Sequence, residues 1–143
     1  MGTVLIVYAS RANETKGMAE LIAEGVRQSG HKACIKKASD IKTEEDLKDY
    51  DGYAFGSPTY HGDMMSSMKQ VLFMAERAEL KDKPGGSFGA YGWSGEATVR
   101  LFDTMTHIYG MKTVKGPLML KASWVEGGID AAQDYGTSIA AMI

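Results

Sequence analysis

The stretch Thr3-Val-Leu-Ile-Val-Tyr8 is an unbroken run of apolar and β-branched side chains near the start of the chain. Such a run is typical of a strand that is buried on both faces of a parallel sheet. A short polar loop at residues 10–15 (SRANET) follows it, and beyond the loop the apolar side chains take up helical spacing, at Met18, Leu21, Ile22, Gly25 and Val26. A buried strand that leads through a short loop into a helix is the opening unit of an α/β fold.

Apolar runs and helical patterns alternate along the rest of the chain, with Gly, Ser, Asn or Pro at the junctions. The alternation implies a mostly parallel sheet with helices on both faces, in one domain over residues 1–143. The predicted elements are a strand at 31–37, an acidic short helix or loop at 40–51, a strand at 53–56, a helix capped by Ser66 or Ser67, a chain break at 83–86, a strand at 87–91, a helix through Val99 and Tyr109, a fifth strand at 117–122 and a closing helix at 129–143.

Composition limits the possible functions. The chain has 143 residues, with 16 Lys and Arg against 18 Asp and Glu, so its formal charge is −2 and gives no electrostatic case for nucleic acid. Its single cysteine, Cys34, excludes an internal disulfide and favours a reducing, cytoplasmic location. The first residues lack the pattern of a signal peptide, and no apolar run approaches the roughly 20 residues that span a bilayer.

The loop after the first strand has the features of an anion site. The hydroxyls of Ser10 and Thr15 flank it, and its backbone N–H groups lead into a helix N-terminus, where an anion is stabilised. Arg11 either pairs with such an anion or points to solvent. Neither a Gly-Lys-Ser/Thr loop nor GxGxxG occurs, so nucleotide binding by those motifs is unsupported. A helix cap without a ligand would use the same residues.

Two later loops suit a flat ligand at the carboxyl edge of the sheet, where open α/β sheets bind ligands. The first, SPTYHGD at 57–63, offers the rings of Tyr60 and His61, and Gly62 allows backbone angles that other residues resist. The second follows the fourth strand and places Trp93 among glycines. Aromatic side chains set between glycines suit a loop that packs on a planar ligand.

These motifs together resemble a short-chain flavodoxin over essentially the whole chain. The resemblance rests on VYASRANET, SPTYHGD and FGAYGW, and the longer matches GSPTYHGDM and FGAYGWSGEA are also similar to the flavodoxin module of the diiron flavoproteins. It implies a flavodoxin-like three-layer α/β sandwich with a five-stranded parallel sheet in the order 2-1-3-4-5. The length implies the short form, in which no insertion splits the fifth strand.

The resemblance further implies non-covalently bound FMN. No metal site is expected, because the three histidines and Cys34 lack metal-ligand spacing. The phosphate would lie at residues 10–15, Trp93 would stack on one flavin face with Tyr60 or His61 on the other, and the Gly62 peptide would bond the flavin N5. The loop departs from the family's Thr-Gly-Asn, which is replaced by Ala12-Asn13-Glu14. The implied cofactor-binding residues are Ser10, Arg11, Ala12, Asn13, Glu14, Thr15, Ser57, Pro58, Thr59, Tyr60, His61, Gly62, Asp63, Ala90, Tyr91, Gly92, Trp93 and Gly95.

The implied function is that of a monomeric electron carrier with no substrate of its own. It would shuttle single electrons at low potential, through the semiquinone/hydroquinone couple, in transient complexes with redox proteins such as ferredoxin or oxidoreductases. We expect neither nucleic acid nor a membrane as partner. Acidic side chains near the flavin would disfavour the anionic hydroquinone, the candidates being Glu14, Asp63, Glu96 and Glu126.

The main alternative is an FMN-dependent NAD(P)H:quinone-type reductase. That function needs a nicotinamide site, and we find no sequence feature that indicates one. A receiver-type signalling domain would share the topology but requires an acidic pair after the first strand and an Asp after the third. Ser10, Arg11 and Ser57 stand at those places.

Overall fold

The computed structural model describes residues 2–9, 13–59, 63–90, 95–120 and 127–143, with the side chains of 13, 14 and 90 left out. A parallel sheet has the order β2-β1-β3-β4-β5, and β6 also pairs with β4. The predicted order 2-1-3-4-5 is therefore confirmed. The strands are β1 (Thr3–Tyr8), β2 (Lys32–Lys37), β3 (Gly52–Gly56), β4 (Pro84–Ala90), β5 (Lys112–Thr113) and β6 (Leu118–Leu120). The helices are α1 (Asn13–Gln28), α2 (Ser66–Arg77), α3 (Glu96–Asp103) and α4 (Gly128–Ala140).

Strand β1 lies between β2 and β3, and its side chains supply both cores of the sandwich. Val4 and Ile6 pack on the side of α1 and α4, whereas Leu5 and Val7 pack on the side of α2 and α3. All four are fully buried, as the apolar run predicts. The three-layer α/β architecture follows from this two-sided burial.

Helices α1 and α4 approach each other through two glycines. A methyl group added at Gly25 would lie 1.9 Å from the Gln133 carbonyl oxygen, and one added at Gly136 would lie 2.0 Å from the Ile22 carbonyl oxygen. Each glycine thus leaves space that the backbone of the opposite helix fills. The helices pack backbone against backbone, which no larger residue at either position would allow.

The last edge of the sheet differs from the prediction of one continuous strand at 117–122. Among the described residues this edge contains two short strands, β5 and β6, separated by residues 114–117, while residues 121 and 122 of the predicted strand lie outside the description. Opposite this interruption the Tyr135 hydroxyl accepts a hydrogen bond from Ser87 N at 3.0 Å and donates one to the Gly116 carbonyl at 2.7 Å. The Tyr135 side chain on α4 thereby provides hydrogen-bond partners for Ser87 N–H and the Gly116 carbonyl where the strand pairing is interrupted.

Three further boundaries differ from the predictions. Helix α2 begins at Ser66, so Met65 occupies the cap position, where it makes no side-chain capping bond. Strand β4 begins at Pro84 within the predicted break, because proline is tolerated as the first residue of a strand. Helix α3 begins at Glu96 and continues as a π turn over Thr104–Ile108. Its buried face contains the small side chains of Ala97 and Thr98 beside Leu101 and Met105, whereas Val99 of the predicted helix is 40% exposed.

The acidic stretch after β2 contains two short 3-10 turns, at Ala38–Asp40 and Glu44–Leu47. The second begins with a capping box between Thr43 and Asp46, and it buries Leu47. The prediction of a short solvated helix or loop is confirmed. Within the described ranges, no helix is both long enough and apolar enough to cross a bilayer.

Candidate functional site

The carboxyl ends of the central strands lie level with one another at one edge of the sheet. Tyr8 pairs with Gly56, which in turn pairs with Phe88, and Ala90 pairs with Leu120. Two more backbone bonds extend this alignment, from Ala9 N to the Gly56 carbonyl at 2.8 Å and from Ser57 N to the Phe88 carbonyl at 3.2 Å. The predicted loops therefore leave the sheet at the same edge, as parallel pairing requires.

At the first of these exits, helix α1 begins at Asn13, four residues after Ala9. The Thr15 side chain lies in the first turn of the helix and is only 2% exposed. Its hydroxyl has no hydrogen-bond partner among the residues that the structure describes. A buried hydroxyl is normally hydrogen-bonded, so the partner of this group is to be sought outside the described residues, in residues 10–12 or in a bound anion at the helix N-terminus.

The segment after β3 is held by three side-chain hydrogen bonds. Ser57 is fully buried, and its hydroxyl accepts a bond from Met65 N at 3.1 Å while donating to the Pro58 carbonyl at 2.9 Å. The Thr59 hydroxyl accepts a bond from Ala97 N, in the first turn of α3, at 3.0 Å. Both flanks of residues 60–62 are thereby attached to the scaffold.

Asp63 forms two ion pairs. Its carboxylate lies 2.6 Å from Lys69 Nζ on α2 and 3.0 Å from Arg100 Nη1 on α3. The Lys69 hydrogen bond, the Met64 backbone N–H and the Arg100 hydrogen bond lower the pKa of Asp63 to about 2. The sequence prediction treats Asp63 as a negative charge beside the flavin. The structure modifies this expectation, because two cations compensate the carboxylate.

Strand β4 leads to the next exit through a close approach at Gly89. A methyl group there would lie 2.3 Å from Thr98 Oγ1 and 2.5 Å from the Ser57 carbonyl oxygen. At Gly95, which precedes α3, an added methyl group would lie 2.3 Å from Met119 Sδ. Small residues thus bring the end of β3, the start of α3 and strand β6 together at this edge.

Sequence reasoning missed two side chains of the site. Strand β6 reaches the same edge, because Leu120 pairs with Ala90. The acidic candidate Glu126, which follows β6 in the chain, lies outside the described residues. Lys69 and Arg100 carry no local sequence signal, since only the packing of α2 and α3 brings them to Asp63.

Some of the predicted positions lie outside the described residues, and their roles stay predictions. Among the described ranges, no group of three or more His, Cys, Asp or Glu side chains could hold a metal ion. The site predictions outside the description are Ser10, Arg11, Ala12, Tyr60, His61, Gly62, Tyr91, Gly92 and Trp93, together with the acidic candidate Glu126 and the side chains of Asn13, Glu14 and Ala90.

Comparison with known proteins assigns the family. The family model described as Flavodoxin matches residues 6–140. The chain belongs to the flavodoxin family. It is 29% identical over 136 residues to the flavodoxin of Clostridium beijerinckii, covering 94% of this chain and 97% of that protein. A solved flavodoxin from the domain Archaea is 27% identical, with a TM-score of 0.85 over 97% of this chain and 96% of that one.

A longer relative shares the same module. The type A flavoprotein fprA of Rhodobacter capsulatus is 30% identical over 142 residues, covering 96% of this chain and 32% of that protein. The chain therefore spans about a third of the length of that relative. Both parts of the predicted resemblance, to flavodoxins and to the flavodoxin module of larger flavoproteins, are confirmed.

Proteins of the flavodoxin family bind FMN, and the predicted cofactor is confirmed at the level of the family. The described residues fit this group. The buried Thr15 hydroxyl at the start of α1, which has no partner within the described ranges, suits the FMN phosphate, and the level strand ends provide an edge on which a flat ring system can rest.

Proposed function

We propose that the chain is an FMN-binding carrier of single electrons at low potential and that it has no substrate of its own. The observation that carries the proposal is the buried Thr15 hydroxyl, which has no partner among the described residues. It stands at the anion-binding position of a sheet edge built like that of the flavodoxins. When bound, FMN supplies one-electron redox chemistry.

The described residues bind and orient this group. Thr15 would donate a hydrogen bond from its hydroxyl to the phosphate, at the helix N-terminus where the backbone dipoles favour an anion. Thr59 already accepts a bond from Ala97 N, so its hydroxyl hydrogen stays available to the ring edge. Ser57 holds the segment that follows β3, because its hydroxyl accepts a hydrogen bond from Met65 N. The side chains hold and shape the site, and none of these roles requires a proton to move.

The partners we propose are redox proteins, such as ferredoxin or oxidoreductases, that dock transiently on a monomer in the cytoplasm. With a formal charge of −2, the chain offers little global steering, so local charges at the flavin edge would guide docking. Because Asp63 is paired with two cations, it depresses the second one-electron potential less than an unpaired carboxylate would.

The test begins with the purified chain. We expect a yellow protein whose released cofactor is FMN, and a redox titration that resolves two one-electron steps. A chain that stays colourless and takes up no FMN, or one that shows a single two-electron wave, would contradict the proposal. Steady-state oxidation of NADH by the FMN-loaded protein with a quinone acceptor would favour the reductase instead.

A substitution tests the phosphate assignment. Thr15→Val keeps the shape of the side chain and removes the hydroxyl. Because hydrogen bonds to charged groups contribute about 1.5–3 kcal/mol, we expect FMN to bind roughly tenfold or more weakly. Thr137→Val on α4 is the control, since that hydroxyl bonds the Gln133 and Gly25 carbonyls far from the site. Equal FMN affinity in the two variants would refute the assignment.

A further inference from the structure

The segment that leaves β3 is attached to helix α3 on both sides of residues 60–62. Before these residues, the Thr59 hydroxyl accepts a hydrogen bond from Ala97 N. After them, the Asp63 carboxylate pairs with Arg100, one turn further along the same helix. The two attachment points on α3 are three residues apart, so they lie on neighbouring turns of one face.

A second helix holds the same carboxylate. Lys69 Nζ on α2 lies 2.6 Å from Asp63 Oδ2, while Arg100 Nη1 on α3 lies 3.0 Å from Asp63 Oδ1. The Met64 N–H also donates to Asp63 Oδ1, at 2.8 Å. Each carboxylate oxygen therefore has a cationic partner, and the backbone next to Asp63 is bonded to the same group. This three-residue cluster of Asp63, Lys69 and Arg100 links two helices to one strand exit.

Helix α3 supports the other exit as well. It begins at Glu96, directly after residues 91–95, which connect it to β4. Gly95 at its start packs against Met119 of β6. One helix thus contacts both flanks of residues 60–62 and is joined to the end of the segment after β4. Its position determines the spacing between two of the predicted flavin loops.

We infer that Asp63, held by Lys69 and Arg100, is a positioning residue for FMN: the cluster sets the Asp63 backbone relative to α3 and so the spacing of the two predicted flavin loops, at 57–63 and after β4. This inference rests on the proposed function. It assigns a role to Lys69 and Arg100, which act through Asp63 and need no contact with the cofactor.

A positioning role and a simple charge effect predict different signs for the changes in FMN affinity. If the cluster acts only through its charge, Asp63→Asn and Arg100→Gln change the local charge in opposite directions, so they shift the affinity for the anionic FMN in opposite directions. If the cluster positions the loop, each substitution breaks the same link, and both weaken binding. The sign pattern of the two variants therefore separates the two explanations.

The experiment measures the dissociation constant of FMN from the full chain, together with the gap between the two one-electron potentials. We expect Asp63→Asn and Arg100→Gln each to weaken binding, by a factor of about 2 to 5, the size that a partly exposed ion pair supports. The double variant should be no weaker than the worse single variant, because the link is broken only once. Arg100→Lys, which can still pair with Asp63, should restore most of the affinity and the potential gap.

The matched control is Lys48→Gln. Lys48 forms an exposed ion pair with Glu45 at 3.1 Å in the second 3-10 turn, so this variant removes the same charge and a similar contact elsewhere. Lys69→Gln should weaken FMN binding and Lys48→Gln should not. The amide NMR signals of Met64 and Ala97 in the FMN-free protein should shift in Arg100→Gln, which shows the displaced backbone independently of the cofactor.

The outcomes distinguish this inference from the proposed function. Failure of the unmodified chain to bind FMN would overturn the proposed function. Normal FMN binding by the unmodified chain, combined with opposite shifts for Asp63→Asn and Arg100→Gln, would overturn only the positioning role. If Asp63→Asn and Arg100→Gln bind FMN with the same affinity as Lys48→Gln, the positioning role is overturned as well.

Discussion

The two helical faces of the sheet are held by different physical means. On one face, α1 and α4 pack backbone against backbone through Gly25 and Gly136. On the other face, α2 and α3 are linked at the functional edge by the exposed cluster around Asp63, and they leave Phe73 71% exposed and Ile108 69% exposed. The contrast teaches that close backbone packing joins the helices of the first face, whereas ion pairs join the helices of the second face at the edge where the predicted loops leave the sheet.

The largest effect should come from closing the space between α1 and α4. Gly25→Ala places a methyl group 1.9 Å from the Gln133 carbonyl oxygen, so the helices must separate. We expect a loss of about 2 kcal/mol or more in the free energy of unfolding, although alanine favours a helix by roughly 1 kcal/mol. Chemical denaturation measures it. Gly116→Ala, where no atom lies within 4 Å of the added methyl group, is the control and should change little.

The next effect concerns the hydroxyl that joins α4 to the interrupted sheet edge. Tyr135→Phe leaves Ser87 N–H and the Gly116 carbonyl without their partner. An unsatisfied buried polar group costs about 1–3 kcal/mol, and we expect a loss in that range on chemical denaturation. Tyr50→Phe removes a hydroxyl whose contacts are with the Cys34 Sγ at 3.9 Å and with the Lys36 side chain, and it should cost far less. Equal losses would show that the edge does not depend on Tyr135.

The cluster on the opposite face should give a smaller, pH-dependent effect. Its contacts lower the pKa of Asp63 to about 2 from 3.8, so the folded state favours the charged form. The resulting stabilisation is complete above about pH 4 and is lost as the pH falls toward 2. NMR titration of the carboxyl carbon should report the lowered pKa, and Lys69→Gln should raise it toward 3.8 more than Arg100→Gln does, because Lys69 is the largest cause. An unchanged pKa in Lys69→Gln would contradict this account.

The smallest effect should come from the exposed surface of α2. Phe73→Ala removes a side chain that is 71% exposed, so we expect the free energy of unfolding to change by less than about 0.5 kcal/mol. Phe55→Ala is the comparison, because that ring is fully buried in β3 and its loss should cost about 3–5 kcal/mol. A large loss for Phe73→Ala would mean that the exposed surface of α2 contributes more to the free energy of unfolding than its exposure indicates.

The centre of the fold could be predicted from local pattern, and its edges could not. The apolar run of β1 predicts burial on both sides because each alternate side chain must meet a core. The interruption between β5 and β6 has no such signal. It depends on a hydroxyl of Tyr135, which lies 48 residues from Ser87 along the chain. The start of β4 was missed because Pro84 and Gly85 have turn character that tertiary packing overrides.

The candidate site divides in the same way. The motif residues Thr15, Ser57 and Asp63 could be named from the sequence because loops at the carboxyl ends of parallel strands share one edge. The partners of Asp63 could not be named, since Lys69 and Arg100 lie on two different helices. Long-range side-chain pairs follow from helix packing, which leaves no short-range pattern in the chain.

The sequence by itself determined the α/β class, the alternation of strands and helices, the family and the cofactor. The α/β class and the alternation follow from side-chain periodicity, whereas the family and the cofactor are implied by the resemblance that short motifs carry. Only the tertiary structure decided how closely α1 and α4 approach, how Tyr135 completes the sheet edge, and that the Asp63 carboxylate is neutralised by two cations. These features depend on atoms that are distant in the chain and meet only after the layers pack.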